Sequence, residues 1–445
     1  MISTGRLRGR LGGVVMAVCL LLPTVVVAAT TLTVSDARQR ALEFNRGYLS
    51  AGEEIDKARD EVIKARAGAL PEISASGSYS RNFILPSFFV QMDNEIVEFK
   101  TGFRNNFGAA VSIRQSLWQG GKVLTALAIA REYERYAQAE AASVAASVVY
   151  NVDVLFFSAV LARSRLAALQ QEYAAAQQNA EVVELRYSQG DVSRYELLRA
   201  TVEKLNLEPA LLQAESEVRL AEKRLKSFIG VDLNDSIVLV DEADDTSLAA
   251  LPSLAVLIDT ALVLRPEMQA ADLLADITRK AVRIAKGDFL PSIAAVSTYS
   301  WQSVSDDFTL RGNKTESWTA GVTVSIPIFA GGRRVGQLRQ RQSEHYQARL
   351  NAAQLRDDIR LEVEAAYDRL IQAKQSLDRQ KETIALAQEG LRIANLRYET
   401  GVGTLLEVLS AQAALTDARN MEARALFSFR TAKSALRKAT AMEIK

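Results

Sequence analysis

LPEISASGSYS, running from Leu70 to Ser80, returns as LPSIAAVSTYS from Leu290 to Ser300, displaced by 220 residues. Two later pairs repeat with a displacement of 211. VSIRQSLWQGGKV, around Gly120 and Gly121, matches VTVSIPIFAGGRRV around Gly331 and Gly332, and LRYSQG ending at Gly190 matches LRYETG ending at Gly401. The chain is duplicated, and self-similarity of this kind decides the architecture before local propensity is weighed. A constant displacement from Gly120 onward means no net length change in either copy. The nine residues of difference fall between the LP and GG landmarks, which places a loop of free length there.

Lys122 to Gln189 is a run of 68 residues without Gly or Pro, rich in Ala, Leu, Glu, Gln and Arg. These are strong helix formers. The segment reads as one helix about 100 Å long, stable only when packed laterally on others. Arg333 to Thr400 repeats it, interrupted only by Gly336 and Gly390. Gly190 and Gly401 reverse the chain into return helices, Val192 to Phe228 and Leu405 to Lys438, the first kinked at Pro209. Helices over Ser35 to Ala67 and Leu254 to Lys286 have the length to stack end to end on the returns and complete each rod.

Four segments alternate instead with period two. Trp318, Ala320, Val322, Val324, Ile326 and Ile328 share one face, and Thr319, Thr323 and Ser325 the other. Ile73, Ala75, Gly77 and Tyr79 alternate with serines, and Ala109, Val111, Ile113 and Leu117 alternate likewise. These are strands with one apolar face, of the length and pattern of lipid-facing strands. Four strands cannot enclose a lumen, and open edges are not tolerated in lipid, so several chains must share a barrel. Trp118 and Phe329, followed by Lys122, Arg333 and Arg334, read as an interfacial aromatic girdle with basic headgroup contacts, or as ordinary strand ends with solvated charges.

At the amino terminus Arg6, Arg8 and Arg10 precede an apolar run from Leu11 to Val27 that ends in Ala28 and Ala29, the pattern of a secretory signal peptide over residues 1–29. The organisation expected is that leader, a first repeat over 30–230, a linker over 231–253 and a second repeat over 254–445. Beyond the leader no run of 18 apolar residues is evident, so no membrane-spanning helix is expected. The single cysteine, Cys19, lies inside the leader, which leaves no disulfide and no thiolate metal site. The 54 basic and 53 acidic residues nearly balance, which argues against a nucleic-acid partner. His345 is the only histidine. No catalytic residue, metal site or cofactor is expected, and the chain is not read as an enzyme. Gly120, Gly121, Gly331 and Gly332 bend the backbone where strand meets helix.

At the helix reversals Tyr187 and Tyr398 stand three residues before the glycines, and Glu196 and Glu407 stand six after them. Each pair is placed to face across a helical hairpin. Either the carboxylates ring a narrow entrance that favours cations, or they are solvated and the tyrosines belong to the local core.

SIPIFAGGRR at Ser325 to Arg334, and LRYETG followed by Leu405, Glu407, Val408 and Leu409, resemble the TolC-like outer-membrane efflux and type I secretion channels, and the resemblance covers the whole chain after the leader. It implies a mainly α fold with a membrane β-barrel portion: a homotrimer with one twelve-stranded barrel, continued by a periplasmic α-helical barrel. Outer-membrane lipid would surround the strands. Gly190, Asp191, Gly401 and Val402 would form tips that dock on a periplasmic adaptor, served by an ABC or proton-driven inner-membrane pump. The intervals Phe83 to Asn106 and Ser303 to Ser317 would be extracellular loops. The competing reading is a periplasmic adaptor or coiled-coil scaffold, which would lack the duplicated strand pairs.

Overall fold

The computed structural model describes residues 30–92, 95–241, 248 and 251–442. The expected signal peptide and part of the expected linker lie outside them. Two helices dominate, α3 (Lys122–Ser188) and α7 (Arg333–Glu399), each of 67 residues and so about 100 Å long at 1.5 Å per residue. The returns are α4 (Arg194–Phe228), with Pro209 inside it, and α8 (Leu405–Thr440).

The helices expected to complete the rods are each broken in two, a correction to the single helices read from sequence. The first repeat has α1 (Val34–Phe44) and α2 (Arg46–Ala67), the second α5 (Leu254–Leu264) and α6 (Pro266–Gly287). The breaks fall at equivalent positions with different local causes. Asn45 is extended at ψ 121° and its side chain accepts the backbone N–H groups of Gly47 and Tyr48, capping α2. Arg265 is extended at ψ 126° because Pro266 follows it. Asn45 Nδ2 also donates to Phe228 O at 3.0 Å, so α4 ends against this break and the two pieces stack as one rod. Each repeat keeps its own core. Phe156, Val152, Leu225 and Ile229 centre the first, and Phe429, Leu436, Leu257, Ile359 and Leu370 the second.

Four strands form one antiparallel sheet in the order β2 (Glu72–Arg81), β5 (Asn105–Trp118), β7 (Ser292–Ser305), β8 (Asn313–Ser325). The register Ile73↔Ile113↔Ser297↔Ala320 and Tyr79↔Phe107↔Ser303 sets most large apolar residues of the four strands on one face, with Val296 and Val304 on the other. That face carries Ile73, Ala75, Tyr79, Phe107, Val111, Ile113, Tyr299, Trp301, Trp318, Val322 and Val324. The opposite face carries Ser74, Ser76, Ser78, Ser112, Thr298, Ser300, Thr319 and Thr323. A register irregularity between Ser116 and Trp118 sets Trp118 opposite Ile293, so Leu117, read as a member of the apolar row, drops out of the pairing.

Two smaller pairings were not read from the sequence. β1 (Thr30–Leu32) runs parallel to β6 (Ile237–Leu239), which folds part of the expected linker back onto the start of the first repeat. The longer loop of the first repeat forms its own hairpin, β3 (Ser87–Met92) and β4 (Glu95–Lys100), with Phe88 stacked on Phe99. The second-repeat connection is shorter than expected, because β7 continues to Ser305 and β8 begins at Asn313.

Within α3 lies an 18-residue window apolar enough to cross a membrane by length and composition. Its apolar surface serves lateral packing, since α3 touches α1, α2, α4, α6 and α8. It also carries Asp153, fully buried and bound to Arg38, Ser434 and Arg437.

Candidate functional site: helical tips and strand–helix junctions

The tips are built by the same backbone device twice. Gly190 (φ 85°) and Gly401 (φ 75°) are left-handed, a conformation that costs other residues about 1–2 kcal/mol. Gly190 N donates to Tyr187 O and Asp191 N to Arg186 O; Gly401 N donates to Tyr398 O and Val402 N to Arg397 O. Each long helix therefore ends in a Schellman turn that satisfies its last carbonyls. The return helices start with caps, Ser193 Oγ and Thr404 Oγ1 accepting Glu196 N and Glu407 N, both at 3.3 Å. Ser193-x-x-Glu196 and Thr404-x-x-Glu407 are thus capping sequences, a local signal that marks the start of each return helix.

The side chains depart from the facing pairs expected. Among the described residues neither tyrosine hydrogen-bonds to the glutamate of its own hairpin. Glu407 pairs instead with Arg397, Nε to Oε2 at 3.3 Å, where both side chains are about half exposed. Arg186, the equivalent arginine of the first repeat, reaches across to the second repeat. Its Nη1 donates to the Tyr398 hydroxyl at 3.3 Å, and its guanidinium lies 6.0 Å from the ring centroid. Tyr398 packs with Val183, Ala200, Leu405, Val192 and Leu409 in a small core that joins the two hairpins. Tyr187 is 40% exposed and outside that core. The Glu196 carboxylate has no hydrogen-bond or ion-pair partner among the described residues.

The junction glycines all have positive φ: 61° and 76° at Gly120 and Gly121, 58° and 82° at Gly331 and Gly332. Gly120 is packed so closely that a Cβ would lie 2.7 Å from Gly287 O. Beside it Lys122 Nζ pairs with Asp288 Oδ1 at 2.8 Å, fastening the start of α3 to the end of α6.

Along the helical rods, burial pushes the Glu172 carboxyl above its ordinary range, and repulsion from Glu203 and Asp417 adds to the effect. Glu267 moves the other way. Burial opposes its ionisation, but hydrogen bonds from Arg265, its own backbone and Ser143 outweigh that and lower it. His345 Nδ1 lies 3.2 Å from Thr278 Oγ1, and among the described residues no group of three His, Cys, Asp or Glu side chains is placed to hold a metal ion.

Comparison with known proteins agrees with this architecture across nearly the whole chain. The family described as outer membrane efflux protein matches residues 37–231 and 257–442. The outer membrane efflux protein BepC of Brucella suis is 25% identical over 401 residues, 89% of this chain and 83% of that protein. The outer membrane protein TolC of Vibrio cholerae is 20% identical over 410 residues, 92% and 90% of the two chains. The crystal structure of the Campylobacter jejuni CmeC outer membrane channel superposes with a TM-score of 0.76 at 19% identity, covering 93% of this chain and 86% of that one. With nearly all of both repeats of a duplicated helix–strand–helix plan matched, the chain belongs to the outer membrane efflux protein family, the outer-membrane exit ducts of efflux and type I secretion systems.

Proposed function

We propose that three copies of this chain close a single twelve-stranded barrel in the outer membrane and continue it across the periplasm as an α-helical barrel. The tips around Gly190, Asp191, Gly401 and Val402 dock on a periplasmic adaptor protein, which an ABC or proton-driven inner-membrane pump supplies with cargo. The observation that carries this reading is the sheet itself. It has four strands, an apolar face shared by every strand, and two open edges at β2 and β8. Such a sheet is intolerable in lipid unless its edges are paired, and the hydroxyl-rich face is suited to a wet lumen. The family supplies the number three.

At the tips, Arg186 on Tyr398 and Arg397 on Glu407 hold the hairpins in a closed resting arrangement that docking releases. Glu196 supplies the uncompensated carboxylate of each copy, giving a ring that favours cations at the entrance. Glu407 contributes less, because Arg397 offsets its charge.

A periplasmic adaptor or helical scaffold would have no use for a lipid-compatible sheet. Fractionation decides between the readings: a heat-labile trimer in the outer membrane supports the duct, and a soluble periplasmic product refutes it.

A further inference from the structure

Alternation along the strands assigns each residue of the four-stranded sheet to one of its two faces. On the hydroxyl-rich face the register Glu72↔Arg114↔Val296↔Gly321 crosses all four strands. Among the described residues of that face Glu72 and Arg114 are the only charged ones; the rest are Ser, Thr, Asn, Gln, Ala, Val and Gly. Opposite charges directly across a ladder are placed to pair. These two do not: both are exposed, and among the described residues neither makes a hydrogen bond or an ion pair. The neighbours of Arg114 on this face are small. Ser112 and Ser116 flank it on β5, Val296 lies beside it, and at Gly321 beyond a Cβ would meet nothing within 4 Å. The guanidinium therefore stands in open space with no group competing for it.

The height of the pair in the sheet is equally informative. Glu72 opens β2 directly after Pro71, and Arg114 precedes the Trp118 end of β5 by roughly 13 Å of strand. The pair thus lies within the lipid-compatible part of the sheet, close to the strand–helix junction. An arginine turned toward hydrocarbon at this depth is strongly disfavoured, so the same residue marks its own face as the inward one. The second repeat has no such pair. Displacing Glu72 by 220 and Arg114 by 211 gives Ser292 and Ser325, which lie opposite each other in the same way but carry hydroxyls.

We infer that Glu72 and Arg114 form the charged belt of the barrel lumen, with one carboxylate and one guanidinium per copy where the helical tunnel opens into the strands. This rests on the barrel and the inward hydroxyl face proposed above. Along the rest of the strands, cargo meets groups that hydrogen-bond to it without regard to its sign. At the belt it meets both signs in equal number. A ring of arginines alone selects anions, and a ring of carboxylates alone selects cations. Held side by side, each cancels the other's field a short distance away, so the belt passes both kinds of ion while both residues are present. Glu72 and Arg114 are thus specificity-determining residues that mask one another, and selection by sign is left to Glu196 at the tips.

The test is the ion selectivity of the full chain in planar bilayers. Glu72→Gln leaves the guanidinium uncompensated and should raise the anion-to-cation permeability ratio at least about threefold over the parent, the effect of a unit charge about 6 Å from a passing ion in water. Arg114→Gln should lower the ratio by a similar factor, and the double variant should return to the parent's value. Both single shifts should shrink at about 1 M salt, where charges are screened within about 3 Å. Neither exchange removes a contact seen in the structure. Should either variant fail to assemble, Ser112→Cys in a Cys19→Ala background probes the lumen one step along the same face. A positively charged methanethiosulfonate reagent should then raise the anion preference and a negatively charged one lower it. Conducting pores whose selectivity does not move, or moves in the same direction in both variants, overturn the belt and leave the duct standing. A parent protein that forms no pores overturns the duct and the belt with it.

Discussion

Asp153 offers the sharpest test of how the rods are held together. Its side chain is fully buried, with Oδ1 accepting Arg38 Nε at 2.6 Å and Oδ2 accepting Ser434 Oγ at 2.5 Å and a guanidinium N–H of Arg437. One carboxylate therefore binds the first helix, α1, and the last, α8, to α3. Removing one partner from a buried ion pair costs about 3–5 kcal/mol, because the charge left behind is uncompensated. Arg38 and Arg437 keep 27% and 23% of their side-chain exposure, so water recovers part of that loss. Asp153→Ala should then cost about 2–4 kcal/mol. Asp153→Asn, which keeps the shape and one acceptor, should cost about 1–2 kcal/mol. Urea unfolding followed by helical circular dichroism reads both as a shift of midpoint at constant slope. Adding Arg38→Ala to Asp153→Ala should give a double variant at least about 1 kcal/mol more stable than additivity predicts, because the stranded charge goes with it. An Asp153→Ala midpoint within about 0.5 kcal/mol of the parent, or strict additivity in the double variant, would refute the reasoning.

In planar bilayers, Glu196→Gln should raise anion conductance relative to cation conductance more than Glu407→Gln does; equal effects, or none, argue against the ring. Valine at Gly190 or Gly401 meets no neighbour but must adopt φ near 85° or 75°, so export should fail while trimers persist. Normal export would count against docking at the tips. Glu172 has a folded pKa raised above its unfolded value, so its contribution to stability is fully present below the unfolded pKa and lost as pH rises through the folded one. Glu172→Gln should therefore be more stable than the parent at neutral pH, with the advantage vanishing below the carboxylate range; a pH-independent difference excludes the mechanism. Ala441, the one non-glycine with positive φ among the described residues, at 53°, is the repeat counterpart of Gly230, and Ala441→Gly should stabilise by about 0.5–1 kcal/mol in the same urea assay.

What could be read from the sequence was whatever repeats locally. Helix-forming composition over 68 residues, period-two alternation and the turning glycines are properties of neighbouring residues, and the duplication doubled each signal. Pro266 was legible as a helix break, and Ser193 and Thr404 as caps, by the same local rules. Asn45 was less so, because its cap competes with a helical pattern on both sides. Contacts between distant residues were a different matter. Asp153 is separated from Arg38 by 115 residues and from Ser434 by 281, and within an apolar helix it gave only the hint of a lone charge. Arg186 and Arg397 occupy equivalent places in the LRY-x-x-Gly motif, yet one reaches Tyr398 in the other repeat and the other reaches Glu407 in its own hairpin. The LRY-x-x-Gly motif is the same at both, so that motif cannot separate their roles, and the packing of one hairpin against the other does. Period and composition determined the rods, the strands and their lengths; tertiary structure decided which charges meet, because that depends on which surfaces the rods turn toward one another.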